Sequence, residues 1–101
     1  MKQTLVRYKI KPEQVQENAR LIRRVFEELK TKSPDNARYV VLRLDDGTFV
    51  HFAAVESMDG NHPITSLEAF RAFQNGIKER CIELPQSGDA TIVGNYRIIG
   101  E

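Results

Sequence analysis

His51 and His62 are the two side chains of this sequence whose ordinary titration falls near neutral pH. His51 sits in a β-rich run, Thr48 to Glu56, where arginine neighbours would favour its neutral form and suit it to general-base work. His62 sits in Asp59-Gly60-Asn61-His62-Pro63, a loop signature, and loops on a rigid scaffold carry function disproportionately. The competing reading for each is a structural or solvated imidazole. Neither has a partner at metal-ligand spacing. Cys81 is the only cysteine, which leaves no disulfide framework and no multi-thiolate centre. It reads as a small packed apolar residue in a reducing compartment. The expectation is no metal and no cofactor.

Two constellations follow from the residues around these histidines. Tyr8 and Tyr96 could bond a phenolic ligand, with His62 overhanging and Phe52 and Phe70 lining an aromatic pocket between sheet and helices. The alternative site collects Arg7, Arg43, His51, Asn95 and Arg97, with Lys9 beside them, on the opposite sheet face. Cations in a partly desolvated place suit a carboxylate, phosphate or phenolate, with arginine giving paired contacts. The structural reading of the same residues is an interface rim, paired with a partner's Glu56 or Glu101. Arg20, Arg23 and Arg24 interleave with Glu17, Glu27 and Glu28 and read as a solvated helix face.

Positioning these groups requires an order of elements. Thr4 to Ile10 alternates like a strand, and Pro12 fits the first turn of a helix, where its missing N–H costs nothing. Val15, Ala19, Ile22, Phe26 and Leu29 fall on one stripe with Val25 beside it, an amphipathic helix ended by Ser33-Pro34-Asp35. Arg38 to Leu44 and Thr48 to Glu56 form a hairpin through Asp45-Asp46-Gly47, a type I turn closed by a glycine bulge. That turn pairs Leu44 with Thr48, Leu42 with Val50, Val41 with His51 and Tyr39 with Ala53. After a loop from Ser57 to Ile64, Thr65-Ser66-Leu67-Glu68 has the form of a capping box. The helix it opens carries Leu67, Phe70, Phe73 and Ile77 on one side, with Gly76 a weak point. Pro85 to Gly88 reads as a turn and Ala90 to Ile99 as the fourth strand.

The fold class is therefore α+β, a ferredoxin-like β-α-β-β-α-β chain with a four-stranded antiparallel sheet and two helices on one face. The 101 residues make one domain, 1–101, and 41% hydrophobic content is too apolar for disorder. Fifteen Lys and Arg against fourteen Asp and Glu leave a net charge of +1, which excludes a global pull toward nucleic acid or membrane. No apolar run reaches the ~20 residues of a membrane helix. Strand-like residues begin at once, leaving no space for a signal peptide, so a cytoplasmic location is expected. Alternation puts Val6, Tyr8, Ile10, Val40, Leu42, Val50, Phe52, Ile92, Tyr96 and Ile98 under the helices. The other face then exposes Leu5, Tyr39, Val41, Phe49, Val55, Val93 and Ile99, a patch too large to leave to water, and a second copy is the simplest cover.

The whole chain resembles the dimeric α+β-barrel superfamily, and within it the antibiotic biosynthesis monooxygenase-like domains. Val6-Arg7-Tyr8-Lys9-Ile10-Lys11-Pro12-Glu13 is similar to the first strand and its turn, Leu44-Asp45-Asp46-Gly47-Thr48-Phe49 to the central hairpin, and Val93-Gly94-Asn95-Tyr96-Arg97 to the last strand. The resemblance implies a homodimer with a pocket per subunit, binding a small aromatic or anionic ligand. The activity it implies is cofactor-independent oxidation of an aromatic or phenolic metabolite. The chain lacks the tryptophan that quinone-forming and haem-degrading members place around substrates, which favours a second reading, a non-catalytic metabolite-binding or sensor domain. An RNA-recognition domain shares the element order and Phe49-Val50-His51-Phe52. It is opposed by Asp45-Asp46 where a basic residue belongs and by the missing first-strand aromatic.

Overall fold

The computed structural model describes residues 1–57 and 60–99. Strand β1 (Lys2–Ile10) passes through a 3-10 turn at Pro12–Gln14 into helix α1 (Val15–Lys32), which Ser33 ends in the left-handed conformation. Strands β2 (Ala37–Arg43) and β3 (Thr48–Val55) follow, then helices α2 (Glu68–Gln74) and α3 (Ile77–Arg80), and strand β4 (Cys81–Asp89). The strands form one antiparallel sheet in the order β2-β3-β1-β4. Tyr8, Ile10 and Phe49 from its covered face pack with Ile22, Val25, Leu67, Phe73 and Ile77. Each such side chain contributes about 1.5–3 kcal/mol of burial.

The hairpin has the expected register, with Leu42 opposite Val50, Val41 opposite His51 and Tyr39 opposite Ala53. Gly47 takes φ +88, and a Cβ there would meet the Ile10 carbonyl oxygen at 3.1 Å, so glycine is required for two reasons. The hairpin's facing differs from expectation. Tyr8 lies opposite Phe49 and Val6 opposite His51, so Tyr39, Val41, Phe49 and His51 lie under the helices. Val40, Leu42, Val50 and Phe52 share the open face with Leu5. Hairpin chemistry fixes β2 against β3 but not the pair against β1, and a one-residue slip there inverts both strands.

The fourth strand is also displaced. It is Cys81–Asp89, and Ala90–Ile99 forms a tail without regular pairing. Arg80 at the end of α3 lies beside the end of β1, its carbonyl accepting from Lys11 N–H at 2.9 Å. Pairing therefore starts at Cys81 opposite Ile10 and reaches Thr4 by Asp89, which uses up β1 before the more β-like residues arrive. Pro85 is tolerated because β4 is an edge strand and its pairing with β1 is bulged there. The second helical segment begins at Glu68 rather than Thr65, without a side-chain cap of its own, and Gly76 at φ +81 splits it in two.

Candidate functional site

Between the covered face and the helices lies a cavity of about 190 Å3. Its floor is Val6, Tyr8, Tyr39, His51, Ala53 and Val55 from three adjacent strands. Phe70, Phe73, Gln74 and Ile77 wall it from the helices, and His62, Ile64 and Thr65 form the rim. The rim loop is ordered by His62, whose Nδ1 accepts from the N–H groups of Ile64 and Thr65 at 3.1 Å and whose carbonyl accepts from Ser66. Burial lowers the His62 pKa, with Lys2 adding to the effect.

Behind the cavity runs a chain of buried polar groups. Arg80 donates through Nε to Asn18 Oδ1 at 3.1 Å, through Nη1 to the Asn75 carbonyl and through Nη2 to the Phe73 carbonyl. Asn18 Nδ2 donates to Tyr8 Oη at 3.0 Å. Tyr8 Oη lies 2.7 Å from His51 Nε2, and Tyr39 Oη lies 2.6 Å from His51 Nδ1. Asn18 is wholly buried and Tyr8, His51 and Arg80 nearly so. Desolvation pushes His51 down to about 4. It pushes both tyrosines above their ordinary range, partly offset at Tyr8 by the bond from Asn18. The imidazole is therefore neutral at physiological pH because it is buried, and arginine neighbours play no part.

Of the residues singled out for the aromatic pocket, Tyr8, His62 and Phe70 line this cavity. Phe52 does not, because it points to the open face, and Tyr96 is 79% exposed on the tail. The cationic constellation is not assembled. His51 faces the helices, Arg7 stands opposite Val50 on the open face, and Arg43 stands opposite Phe49 at the helix-covered end of β2. Asn95 bonds the backbone of Ile98 and Ile99, and Arg97 stacks over Tyr96 at 5.2 Å. The suggested partner acid Glu101 lies outside the described residues, as does Asp59 of the loop signature. Asn18, Tyr39 and Arg80 enter the site unannounced by the sequence reading. A signal existed for Asn18, which interrupts the apolar stripe of α1 midway between Val15 and Ile22. Among the described residues no group of three or more His, Cys, Asp or Glu is placed to hold a metal ion, and no helix is long and apolar enough to cross a membrane.

No protein-family model matches this chain, and no curated protein does. Solved structures match over nearly the full length. A structure named antibiotic biosynthesis monooxygenase is 18% identical with a TM-score of 0.71, covering 93% of this chain and 100% of its own. A Bacteroides thetaiotaomicron protein assigned to the same activity is 14% identical with a TM-score of 0.75, over 91% and 89% of the two chains. A Mycobacterium tuberculosis protein is 13% identical with a TM-score of 0.71, over 93% and 96%. At such identities the likeness is one of fold. This chain has the ferredoxin-like α+β fold of these structures, several of which are named for antibiotic biosynthesis monooxygenases.

Proposed function

We propose that this chain is a single-domain, homodimeric binding protein for a small aromatic molecule, held in the cavity between the sheet and α2–α3. The observation that carries this reading is the cavity itself. Its walls are mostly apolar and aromatic, with Tyr8, Tyr39 and His51 supplying polar groups from the floor and Thr4, His62, Thr65 and Gln74 from the periphery, the ordinary make-up of a small-molecule site. Pairing through the open face is supported by Leu42, Leu44, Ile82 and Leu84, each about half exposed or more. A cytoplasmic setting is supported by Cys81, a buried free thiol.

A second reading, oxidation of a bound phenol without a cofactor, is favoured by the neighbours named for antibiotic biosynthesis monooxygenases. In that reaction a phenol and dioxygen give a quinone and water, one oxygen atom entering the ring. A proton acceptor would be needed, and His51, held near 4, is a weak one. So weak a base supports binding over turnover.

The test is a thermal-shift screen of phenols and aromatic ketones, with oxygen uptake measured on each hit. The expected result is a raised Tm for wild type, lost in Ala53→Phe, which fills the cavity, and kept in Tyr96→Ala. Wild type that responds to no aromatic compound would overturn the reading. Hits that consume dioxygen would replace the binding function with the enzymatic one.

A further inference from the structure

Arginine has donors only, and this fixes the sense of every hydrogen bond behind the cavity. Because Arg80 Nε donates to Asn18, the Asn18 amide must turn its oxygen that way and its nitrogen toward Tyr8. Tyr8 Oη, already accepting from that nitrogen, has one hydrogen to place. At 3% exposure it cannot give it to water, and His51 Nε2 stands 2.7 Å away. Nε2 must therefore accept, which puts the proton of the neutral imidazole on Nδ1, aimed at Tyr39 Oη 2.6 Å away. Tyr39 accepts it, and its own hydroxyl hydrogen finds no acceptor among the described residues. Tyr39 is also a cavity-lining residue. The opposite tautomer would set two donors on Tyr8 Oη and strand a buried hydroxyl hydrogen, the costly arrangement.

Resting on the cavity as the ligand site, we infer that the buried chain from Arg80 to Tyr39 is polarised toward the cavity, so that Tyr39 presents one hydroxyl donor and the site selects an uncharged aromatic carbonyl compound. A carbonyl oxygen satisfies that donor and asks for no counter-charge. An anion would be desolvated against no cation, since among the described residues no Lys or Arg lines the cavity and Arg80 is occupied by Asn18 and two backbone carbonyls. Burial of His51 agrees with an uncharged floor. Size agrees with a single substituted ring, since a dry cavity of about 150 Å3 holds benzene and this one is about 190 Å3.

The experiment uses acetophenone, ethylbenzene and benzoate as probes, titrated at pH 7 into the wild-type protein, together with long-range proton–nitrogen correlation spectra of the ligand-free protein. His51 should show the Nδ1–H tautomer. Acetophenone should bind about five- to tenfold tighter than ethylbenzene, as one hydrogen bond supplies, and benzoate should bind more weakly than either. Tyr39→Phe should erase the preference for acetophenone and leave ethylbenzene unchanged. An Nε2–H tautomer overturns the inference whatever binds, and it decides the matter if Tyr39→Phe does not fold. Benzoate binding tightest, or a preference surviving in Tyr39→Phe, overturns it while the cavity reading stands. Failure of all three probes with His51 in the Nδ1–H form removes the cavity reading, and the ligand claim falls with it.

Discussion

The carboxylate of Glu28 on α1 accepts a hydrogen bond from the backbone N–H of Ala69 in the first turn of α2, 2.8 Å away, while its other oxygen meets Lys32 Nζ at 2.9 Å. Because α2 has no side-chain cap of its own, a residue 41 positions earlier performs the capping and ties the two helices together. The backbone bond first, and Lys32 second, hold the Glu28 carboxyl below its ordinary value of 4.5. Glu28→Leu should therefore lower Tm, and Glu28→Gln, which keeps an acceptor, should lower it less. A group with a depressed pKa lends stability that is lost as pH falls through its folded value. The gap between wild type and Glu28→Leu should close in melts below pH 4.5. A gap that persists in acid would assign the effect to packing.

Asn18 joins Arg80 to Tyr8, and removing it leaves a buried guanidinium N–H without its acceptor. Asn18→Ala should cost about 2–3 kcal/mol in urea unfolding, because a stranded buried donor costs more than the bond it made. Asn18→Asp restores the acceptor for Arg80 but not the donor for Tyr8, so it should recover only part of the loss. Full recovery would mean that the Tyr8 end of the chain contributes nothing to stability.

Much of the fold was legible because its signals are local. Pro12, the α1 stripe and the Asp45-Asp46-Gly47 turn each act within a few residues, and the hairpin register follows from that turn. The facing of β1 against the hairpin depends on a contact between Tyr8 and Phe49, 41 positions apart, that no turn dictates. The fourth strand was missed because Pro85 and Gly88 read as a turn, while the real determinant is where α3 delivers Cys81 beside Ile10. The site inherits both errors. Tyr8 and Phe70 reach the cavity because β1 and the apolar side of the second helical segment were read correctly, and His62 because its loop forms the rim, whereas Phe52 and Tyr96 depended on the inverted face and the displaced strand.

Burial sets a pH limit through His51. Above pH 6.5 the imidazole is neutral in folded and unfolded chains alike and contributes no slope. Between 6.5 and about 4 the unfolded chain takes up a proton that the folded chain refuses, so stability falls as pH falls. At ~1.4 kcal/mol per pH unit the whole loss is about 3 kcal/mol. Urea unfolding from pH 7 to pH 4 should show this slope in wild type and a shallower one in His51→Phe. Equal slopes in the two proteins would mean that His51 titrates alike folded and unfolded.

Adjacent residues of β2 give opposite outcomes for the same substitution. Val41 lies under α1, partly buried against the core, while Leu42 points to the open face and is 57% exposed. A carboxylate at Val41 must be desolvated without a partner, so Val41→Glu should unfold the protein. Leu42→Glu puts the same charge in water as long as the chain is alone, and the fold should survive. In the proposed homodimer, Leu42 would be covered along with Leu5, Val40, Val50 and Phe52, its neighbours across the sheet. A standard interface buries about 800 Å2 on each partner, and at ~25 cal/mol per Å2 of apolar area such a face provides ample drive to associate. One buried charge facing its own symmetry copy would oppose that drive twice. Sedimentation equilibrium should then show a dimer for wild type and a folded monomer for Leu42→Glu, with the far-ultraviolet spectrum unchanged. A folded Leu42→Glu that sediments at the wild-type mass would show that this face is not where two copies meet.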